Sequence, residues 1–275
     1  MRPHLQGIDH VVVLVRDLDR ARDAYARMGF TLTPRGYHTL GSQNHCLMFG
    51  RDYVELLAVP KPHPAMQYFT DFLARGEGLG AIALATDAAD GLHASLAADG
   101  FAADMPLDFS RPVEGLGEAR FRIVQFPADA SPGCRMFACQ HYSRELVWRP
   151  EYQAHANGAR EIAALAVIAE DPASAAASYA RLLGAKPQPI AEGLLVHTGS
   201  APIAVASRWK LGHRLQGAGL PPRPRPLVAA LFVRVADRAR AAAFLRRNGI
   251  APIALADGSF AVSAQDAHGV AVIFG

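Results

Sequence analysis

The chain has 275 residues, with 28 basic and 25 acidic side chains, and 51% of its residues are hydrophobic, which suits one large or two ordinary globular domains. Its longest apolar runs, Ile162–Ala169 and Leu227–Val233, are far shorter than the roughly 18 to 20 residues that cross a bilayer, and we expect no secretory signal. Basic residues are dispersed among acidic ones, so neither a nucleic-acid nor a membrane partner is expected. Three scattered cysteines predict a reducing, cytoplasmic location.

One pattern recurs four times along the chain. An apolar strand is followed by an Asp, an Ala-rich helix and then a Gly, and the copies start at His10, Gly80, Ala164 and Ala230. Each Asp suits a helix N-cap, and each Gly, about a dozen positions later, suits a left-handed C-terminal cap. The pairs are Asp17 with Gly29, Asp87 with Gly100, Asp171 with Gly184, and Asp237 with Gly249. The repeat therefore predicts four helices that each follow a strand.

Short β-prone runs follow the helices. They are Phe30–Thr33, Asn44–Phe49 and Tyr53–Val59 in the first unit, and Ile253–Ala256, Ser259–Ala264 and Val270–Phe274 in the last. The sequence thus predicts an α+β chain of four βαβββ units. A Pro-rich stretch from Leu211 to Pro226 predicts a stiff connector. A break near Gln153–Ala159 divides the chain into predicted domains of residues 1–155 and 156–275.

Two stretches of the first unit carry a resemblance to a known group. Paired βαβββ units that open with Ile8-Asp9-His10-Val11-Val12-Val13 and contain Tyr53-Val54-Glu55-Leu56 resemble the vicinal oxygen chelate superfamily, which includes glyoxalase I, extradiol dioxygenases, fosfomycin-modifying enzymes and bleomycin-binding proteins. The segments around His10, Asn44, Glu55 and Cys139–Pro150 are similar to its bacterial glyoxalase-like domain proteins. The resemblance implies two cupped mixed sheets, each built from two units, with the site in the N-terminal domain and a degenerate copy in the C-terminal one.

The resemblance also implies a metal site. In that superfamily the metal ligands come from the first and last strands of each unit and point into the cup. Carried over, this gives His10 and Glu55 in unit one and either Gln140 or His141 in unit two. We favour His141 because imidazole is the commoner ligand. The expected ion is a divalent Fe, Mn, Zn, Ni or Co held by His10, Glu55 and His141, with open positions for substrate.

The other units provide an internal comparison. The position of His10 falls at Gly80 or Ala81 in unit two and at alanines in units three and four, so the fold does not require a histidine there. Glu55 lies in an apolar strand, where a buried carboxylate is costly unless it is paired or binds a cation. The alternatives are a hydrogen-bonded structural histidine, a solvent-facing glutamate and a surface His141.

Further polar side chains are expected to line the same cup. The expected substrate contacts are Asn44, His45, Gln140, Arg122 and Trp148, with Tyr37 and His38 in the preceding loop. Arg111, Arg120 and Arg122 can bind a carboxylate or phosphonate in bidentate fashion, or remain solvated loop residues.

These residues lead to three functional hypotheses. The first is a divalent-metal-dependent glyoxalase-like enzyme acting on a small molecule with vicinal oxygens, either an isomerase or lyase or, second, a ring-cleaving dioxygenase, with Glu55 as general base. The second is a metal-free protein that binds and sequesters a small molecule, as the bleomycin-binding relatives do. The third is a ligand sensor without turnover. The C-terminal half is expected to complete the core, cover a sheet edge or build a homodimer face.

Overall fold

The computed structural model describes residues 1–61, 63–222 and 226–275, and the predicted βαβββ unit occurs four times in them. Unit one consists of β1 (Leu5–Leu14), α1 (Leu18–Arg27), β2 (Gly36–Tyr37), β3 (Gln43–Met48) and β4 (Tyr53–Ala58). Helix α2 (Gln67–Ala74) leads to unit two, which consists of β5 (Gly78–Thr86), α3 (Ala89–Ala98), β6 (Leu107–Val113), β7 (Gly117–Gln125) and β8 (Arg135–His141).

The C-terminal half repeats this order. Unit three consists of β9 (Ala159–Ile168), α4 (Pro172–Leu183), β10 (Gln188–Ile190), β11 (Gly193–Val196) and β12 (Ile203–Ala206), and helix α5 (Arg208–Arg214) follows it. Unit four consists of β13 (Leu227–Val235), α6 (Arg238–Arg247), β14 (Ile253–Ala254), β15 (Phe260–Val262) and β16 (Ala271–Phe274). Among the described helices, we find none with the length and apolar character needed to cross a membrane.

The predicted helix signals are confirmed with one exception. N-terminal backbone N–H groups of α1, α4 and α6 donate to the side chains of Asp17, Asp171 and Asp237, and the glycine after each of the four repeat helices has a positive φ angle. Asp87 does not cap α3, because its carboxylate contacts the side chains of His4 and Gln6. Instead, the Ala89 N–H donates to Oε1 of Gln140 on β8 at 2.9 Å. A residue from the end of unit two therefore caps the helix of the same unit.

Two loop predictions need correction. Residues Phe30–Thr33 form no strand in the described part of the chain. The Thr33 N–H donates to the Cys46 carbonyl of β3 at 2.9 Å, but the Thr31 N–H donates to His155 Nδ1 at 3.0 Å, so no ladder with β3 continues. The predicted connector Leu211–Pro226 begins inside α5, whose N-cap Ser207 accepts from the backbone of its first turn. Residues 223–225 of that connector lie outside the described residues.

Strand pairing groups the units in two pairs. β1 pairs antiparallel with β5, and β9 pairs antiparallel with β13. In every unit the first strand also pairs in parallel with the last one. Among the described residues, the two sheets are joined through the pair of Val228 on β13 and Leu79 on β5. The predicted α+β architecture is confirmed, with the addition that the two sheets join edge to edge.

One hydrophobic core joins both halves of the chain. It contains fully buried Tyr25 of α1 and Tyr179 of α4, together with residues of β1, β5, β9, β13 and β16. The Tyr25 hydroxyl donates to the Ala267 carbonyl in the other half at 3.2 Å. The C-terminal half thus supports the N-terminal one, while the division at residue 155 stays a prediction.

The concave faces of the two sheets differ in content. In the C-terminal half, Leu211 and Leu215 at α5 pack on small residues such as Ala166, Ala229 and Ala271, and this cluster fills the cup. In the N-terminal half, α2 covers only part of the cup. The chain therefore retains an open concave site in one half.

The contact between the halves has a pH dependence. The Ile162 N–H of β9 donates to Asp52 Oδ1 at 3.0 Å, and burial raises the pKa of Asp52 to about 7 from its ordinary 3.8. The unfolded chain loses this proton at lower pH, so the contribution of Asp52 to stability is full below pH 4 and is lost as pH rises toward 7. Asp52→Asn keeps the acceptor and removes the charge. We expect its free energy of unfolding, relative to wild type, to rise between pH 4 and 8 by up to about 1.4 kcal/mol per unit of pKa shift.

Urea unfolding at several pH values measures this difference. Asp129→Asn, an exposed substitution, serves as the control and should follow wild type. An Asp52→Asn variant whose stability shows the wild-type pH dependence would contradict the assignment.

Candidate functional site

A β-bulge at the start of the site changes the expected direction of one side chain. Ile8 and His10 of β1 pair with consecutive residues of β5, Leu84 and Ala83, so Asp9 is an extra residue in β1. The bulge interrupts the alternation of faces along the strand. Asp9 and His10, although adjacent, therefore lie close enough for their side chains to hydrogen-bond.

The Asp9 carboxylate connects two imidazoles inside the protein. Its Oδ2 lies 2.6 Å from His10 Nδ1 and 3.1 Å from His141 Nε2, and Asp9 is 1% exposed. Burial acts to raise the pKa of Asp9, but the two imidazole hydrogen bonds outweigh it and hold the pKa well below its usual range. An ionised carboxylate only accepts, so His10 carries its hydrogen on Nδ1 and His141 on Nε2. The lone pair of neutral His10 is therefore on Nε2.

Glu55 lies on the other side of His10. Its Oε2 is 3.8 Å from His10 Nε2, and its Oε1 is 3.9 Å from His38 Nε2. The Asn44 side-chain amide donates to Glu55 Oε1 at 2.5 Å. Burial lowers the pKa of His38, which favours its neutral form. A buried carboxylate thus stands between two imidazoles and is held by one amide.

These polar groups form one end of a cavity of about 520 Å³. Its walls are mostly apolar and come from β4, α2 with the turn before it, β6, β7 and β8; they include Leu57, Met66, Phe69, Phe109, Phe121 and Phe137. Cavities of this size and composition, with a few polar groups, are typical of small-molecule sites.

The structure brings five of the sequence-predicted residues to this cavity, namely His10, His38, Asn44, Glu55 and Arg111. His141 lies behind His10, joined to it through Asp9, and does not line the cavity. Trp148 packs edge-on against His141, with ring centroids 5.1 Å apart, and against Tyr53. Trp148 therefore supports the polar cluster from behind.

The expected pocket positions of His45, Gln140 and Arg122 are corrected by the structure. His45 follows Asn44 on β3 and points to the opposite face, where its Nδ1 bonds a main-chain carbonyl. Gln140 caps α3, and Arg122 forms ion pairs at 2.8 and 2.6 Å with two exposed aspartates. In each case a neighbour on the same strand lines the cavity, because successive strand residues point to opposite faces.

Unit two has no ligands at the positions equivalent to those of His10 and Glu55. Aligning α1 with α3 residue by residue places Ala81 at the position of His10. In unit one, His10 pairs with Tyr53, and Glu55 lies two residues further along β4. In unit two, Ala81 pairs with Arg135, and Phe137 lies two residues further along β8. The equivalent of Glu55 is therefore Phe137, rather than the expected Gln140 or His141, and neither Ala81 nor Phe137 can bind a metal.

The predicted metal ligands do not converge on one point. Glu55 faces Nε2 of His10, whereas His141 donates to Asp9 on the Nδ1 side of that ring. Across the described ranges, Asp9, Cys139 and His141 are the one group of three potential ligand residues whose ligand atoms lie within 4.8 Å of one another. The cavity holds three potential donors, since the imidazoles of His10 and His38 flank Glu55. Their ligand atoms do not all lie within that distance of one another, so these three residues do not converge on one ion position as they stand.

Asp9 is the residue whose role sequence reasoning missed. In a regular strand its side chain would point away from that of His10, so the two were not expected to interact. A carboxylate inside the apolar strand β1, next to the histidine of interest, was the available signal, because such a group needs a buried partner.

Comparisons with known proteins agree with this architecture. A family model described as a glyoxalase-like domain matches residues 8–183. Among solved structures, a hypothetical protein from Staphylococcus aureus aligns with a TM-score of 0.72 at 12% identity over 98% of both chains. A triple mutant of 4-hydroxymandelate synthase from Streptomyces coelicolor aligns with a TM-score of 0.60 at 13% identity, over 91% of this chain and 77% of that one.

A third solved structure is a fusion of a xylose isomerase-like TIM barrel with 4-hydroxyphenylpyruvate dioxygenase. It aligns with a TM-score of 0.59 at 16% identity, over 98% of this chain and 49% of that one. At these identities the similarity shows the fold. No curated protein matches the sequence.

The hydrogen-bond network predicts a tautomer for each histidine. In protein with ¹⁵N-labelled histidines at neutral pH, we expect long-range ¹H–¹⁵N spectra to show neutral His10 protonated at Nδ1 and neutral His141 at Nε2, with signals assigned through His10→Gln. Asp9→Asn should abolish this pattern and destabilise the fold by about 1–3 kcal/mol, because the two buried imidazole N–H groups lose their shared anionic acceptor. Asp108→Asn on the surface serves as control. A neutral His10 protonated at Nε2 in wild type would contradict the network.

Proposed function

Since this chain belongs to the glyoxalase-like domain family, we propose that it is an enzyme that moves a proton on a small molecule bound in the N-terminal cavity, as an isomerase or lyase does. The observation that carries the proposal is the position of Glu55. Glu55 is 6% exposed, and it lines a mostly apolar cavity with an imidazole nitrogen 3.8 or 3.9 Å from each carboxylate oxygen. Groups arranged in this way suit general acid–base chemistry.

Glu55 is the proposed general base. Asn44 occupies its Oε1, so the carboxylate keeps one orientation. At 3.8 Å, Oε2 is too far from His10 Nε2 for a hydrogen bond, which leaves it available to a substrate C–H or O–H. An acidic C–H next to a carbonyl is the natural target for a carboxylate base at the end of a mostly apolar cavity.

His10 is the proposed partner that receives or returns a proton on a substrate oxygen. Its Nδ1–H bond to ionised Asp9 directs the Nε2 lone pair toward Glu55. The negative charge of Asp9 also stabilises the imidazolium that forms when His10 takes up a proton, as in triads where a carboxylate orients a histidine. Proton removal at carbon and proton exchange at oxygen can thus proceed at two groups 3.8 Å apart.

A second candidate function retains a divalent metal ion. It is favoured by the cluster of Asp9, Cys139 and His141, whose potential ligand atoms lie within 4.8 Å of one another. Binding there requires loss of the Cys139 proton, because burial raises the pKa of this thiol well above its usual value. If the protein catalyses neither proton transfer nor a metal-dependent reaction, it is a metal-free protein that binds a small molecule without turnover.

Deuterium exchange tests the role of Glu55. We expect the wild-type protein in D₂O to accelerate exchange of the α C–H in one or more members of a panel of 2-hydroxy and 2-oxo carbonyl compounds with apolar substituents, followed by ¹H NMR. Glu55→Gln should lower the rate at least about 100-fold while the compound still binds, because the amide cannot take the proton. Glu114→Gln, an exposed substitution, should leave the rate unchanged. Exchange that survives in Glu55→Gln, or a panel with no exchange at all, would overturn the proposal.

Metal content separates the two candidates. In protein purified without chelators and without a metal-affinity step, we expect elemental analysis to find transition metal well below one equivalent. One full equivalent that is lost in Cys139→Ser or His141→Gln, and kept in the control Cys134→Ser, would establish the second candidate instead. One equivalent lost in His10→Ala but kept in Cys139→Ser would locate the ion in the cavity and contradict our interpretation of its donors.

A further inference from the structure

Arg111 on β6 is a cation of the cavity wall for which the structure shows no counter-ion. Its side chain lines the cavity and is partly buried. In the residues that the structure describes, its guanidinium forms no hydrogen bond and no ion pair. Arg135, the other arginine of the wall, donates to Gln125 at 2.7 Å and lies 3.7 Å from an Asp104 oxygen. A half-buried guanidinium without such partners is poised to bind an anion, because its desolvation is otherwise uncompensated.

Gly36 of β2 shows where this cation lies relative to the proposed base. A Cβ atom at residue 36 would come within 2.3 Å of Asn44 Oδ1 and 3.4 Å of Arg111 Nη1. The tips of both side chains thus approach the same small space, which exists because residue 36 has no side chain. The other end of the Asn44 amide donates to Glu55. Arg111 is therefore separated from the Glu55 carboxylate by about one amide group.

The remaining walls of the cavity indicate the chemical character of the rest of the bound anion. Phe109 and Phe121 are stacked with ring centroids 4.9 Å apart, and Phe137 lies edge-on to His10 at 5.6 Å. These rings form an apolar surface suited to a flat or branched hydrocarbon group. A single guanidinium compensates one negative charge, whereas a phosphate dianion would leave a charge unpaired in this surrounding.

We propose that the cavity binds a small amphipathic carboxylate, with the carboxylate paired to Arg111 and the apolar body against the phenylalanines. This inference rests on the proposed function in that it uses the same cavity. A molecule bound in this orientation has the carbon next to its carboxylate near Glu55. Arg111 then selects carboxylates as substrates and positions the bound molecule for proton transfer.

A matched pair of probes tests this selection. 3-Phenylpropanoate and 3-phenylpropanamide differ in charge and share the same apolar body, and calorimetry measures the affinity of each. We expect wild type to bind the carboxylate at least about tenfold more tightly than the amide. Arg111→Gln should remove this preference by weakening carboxylate binding alone, whereas Arg120→Gln, an exposed substitution on β7, should keep it.

The outcomes distinguish this inference from the proposed function. A carboxylate preference that is present in wild type and in Glu55→Gln, without any deuterium exchange, would support the role of Arg111 and sink only the proton-transfer chemistry. Equal affinity for both probes in wild type, an unchanged preference in Arg111→Gln, or no binding of either probe in the millimolar range would overturn the inference.

Discussion

The site depends on one buried carboxylate that accepts hydrogen bonds from two imidazoles. Asp9 reaches this position only because the bulge in β1 breaks the alternation of side chains. Once there, it stays ionised, since the bonds from His10 and His141 outweigh the cost of burial. The orientation of His10, and hence the group that Glu55 faces, follows from that interaction. In a regular strand the side chains of Asp9 and His10 would point to opposite faces, and the Asp9 carboxylate would lie apart from the His10 imidazole.

The two halves share an architecture and differ in what fills their concave faces. Small alanines and the leucines around α5 occupy the C-terminal cup, whereas the N-terminal cup holds polar groups and a cavity. Contacts such as Asp52 with Ile162 and Tyr25 with Ala267 join the halves through buried hydrogen bonds. The C-terminal half thus packs against the half that carries the site through a shared core. This agrees with the general rule that function depends on sites built on a common fold.

Within the N-terminal cup the two units contribute different chemistry. Unit one supplies His10, Glu55 and Asn44, while unit two places Ala81 and Phe137 at the equivalent positions. The N-terminal cup therefore has polar groups on one side and an apolar wall on the other, in place of a symmetric set of ligands. This asymmetry suits a bound molecule with one polar end and one hydrocarbon end. Arg111, which forms no ion pair with the described residues, lies near the polar end.

The sequence by itself determined the four βαβββ units, three of the four Asp caps and all four glycine caps, because these features depend on neighbours along the chain or on one repeated pattern. The family resemblance implied that His10 and Glu55 line the same cavity, and the roles of these two residues stay proposals. The sequence did not determine which faces of β3, β7 and β8 line the cavity, so it placed His45, Arg122 and Gln140 in the wrong surroundings. Tertiary structure decided which faces line the cavity and where the bulge at Asp9 lies. It also decided that Gln140, and not Asp87, caps α3. Each depends on register with a strand or helix far away in sequence, where a shift of one residue reverses the direction of a side chain.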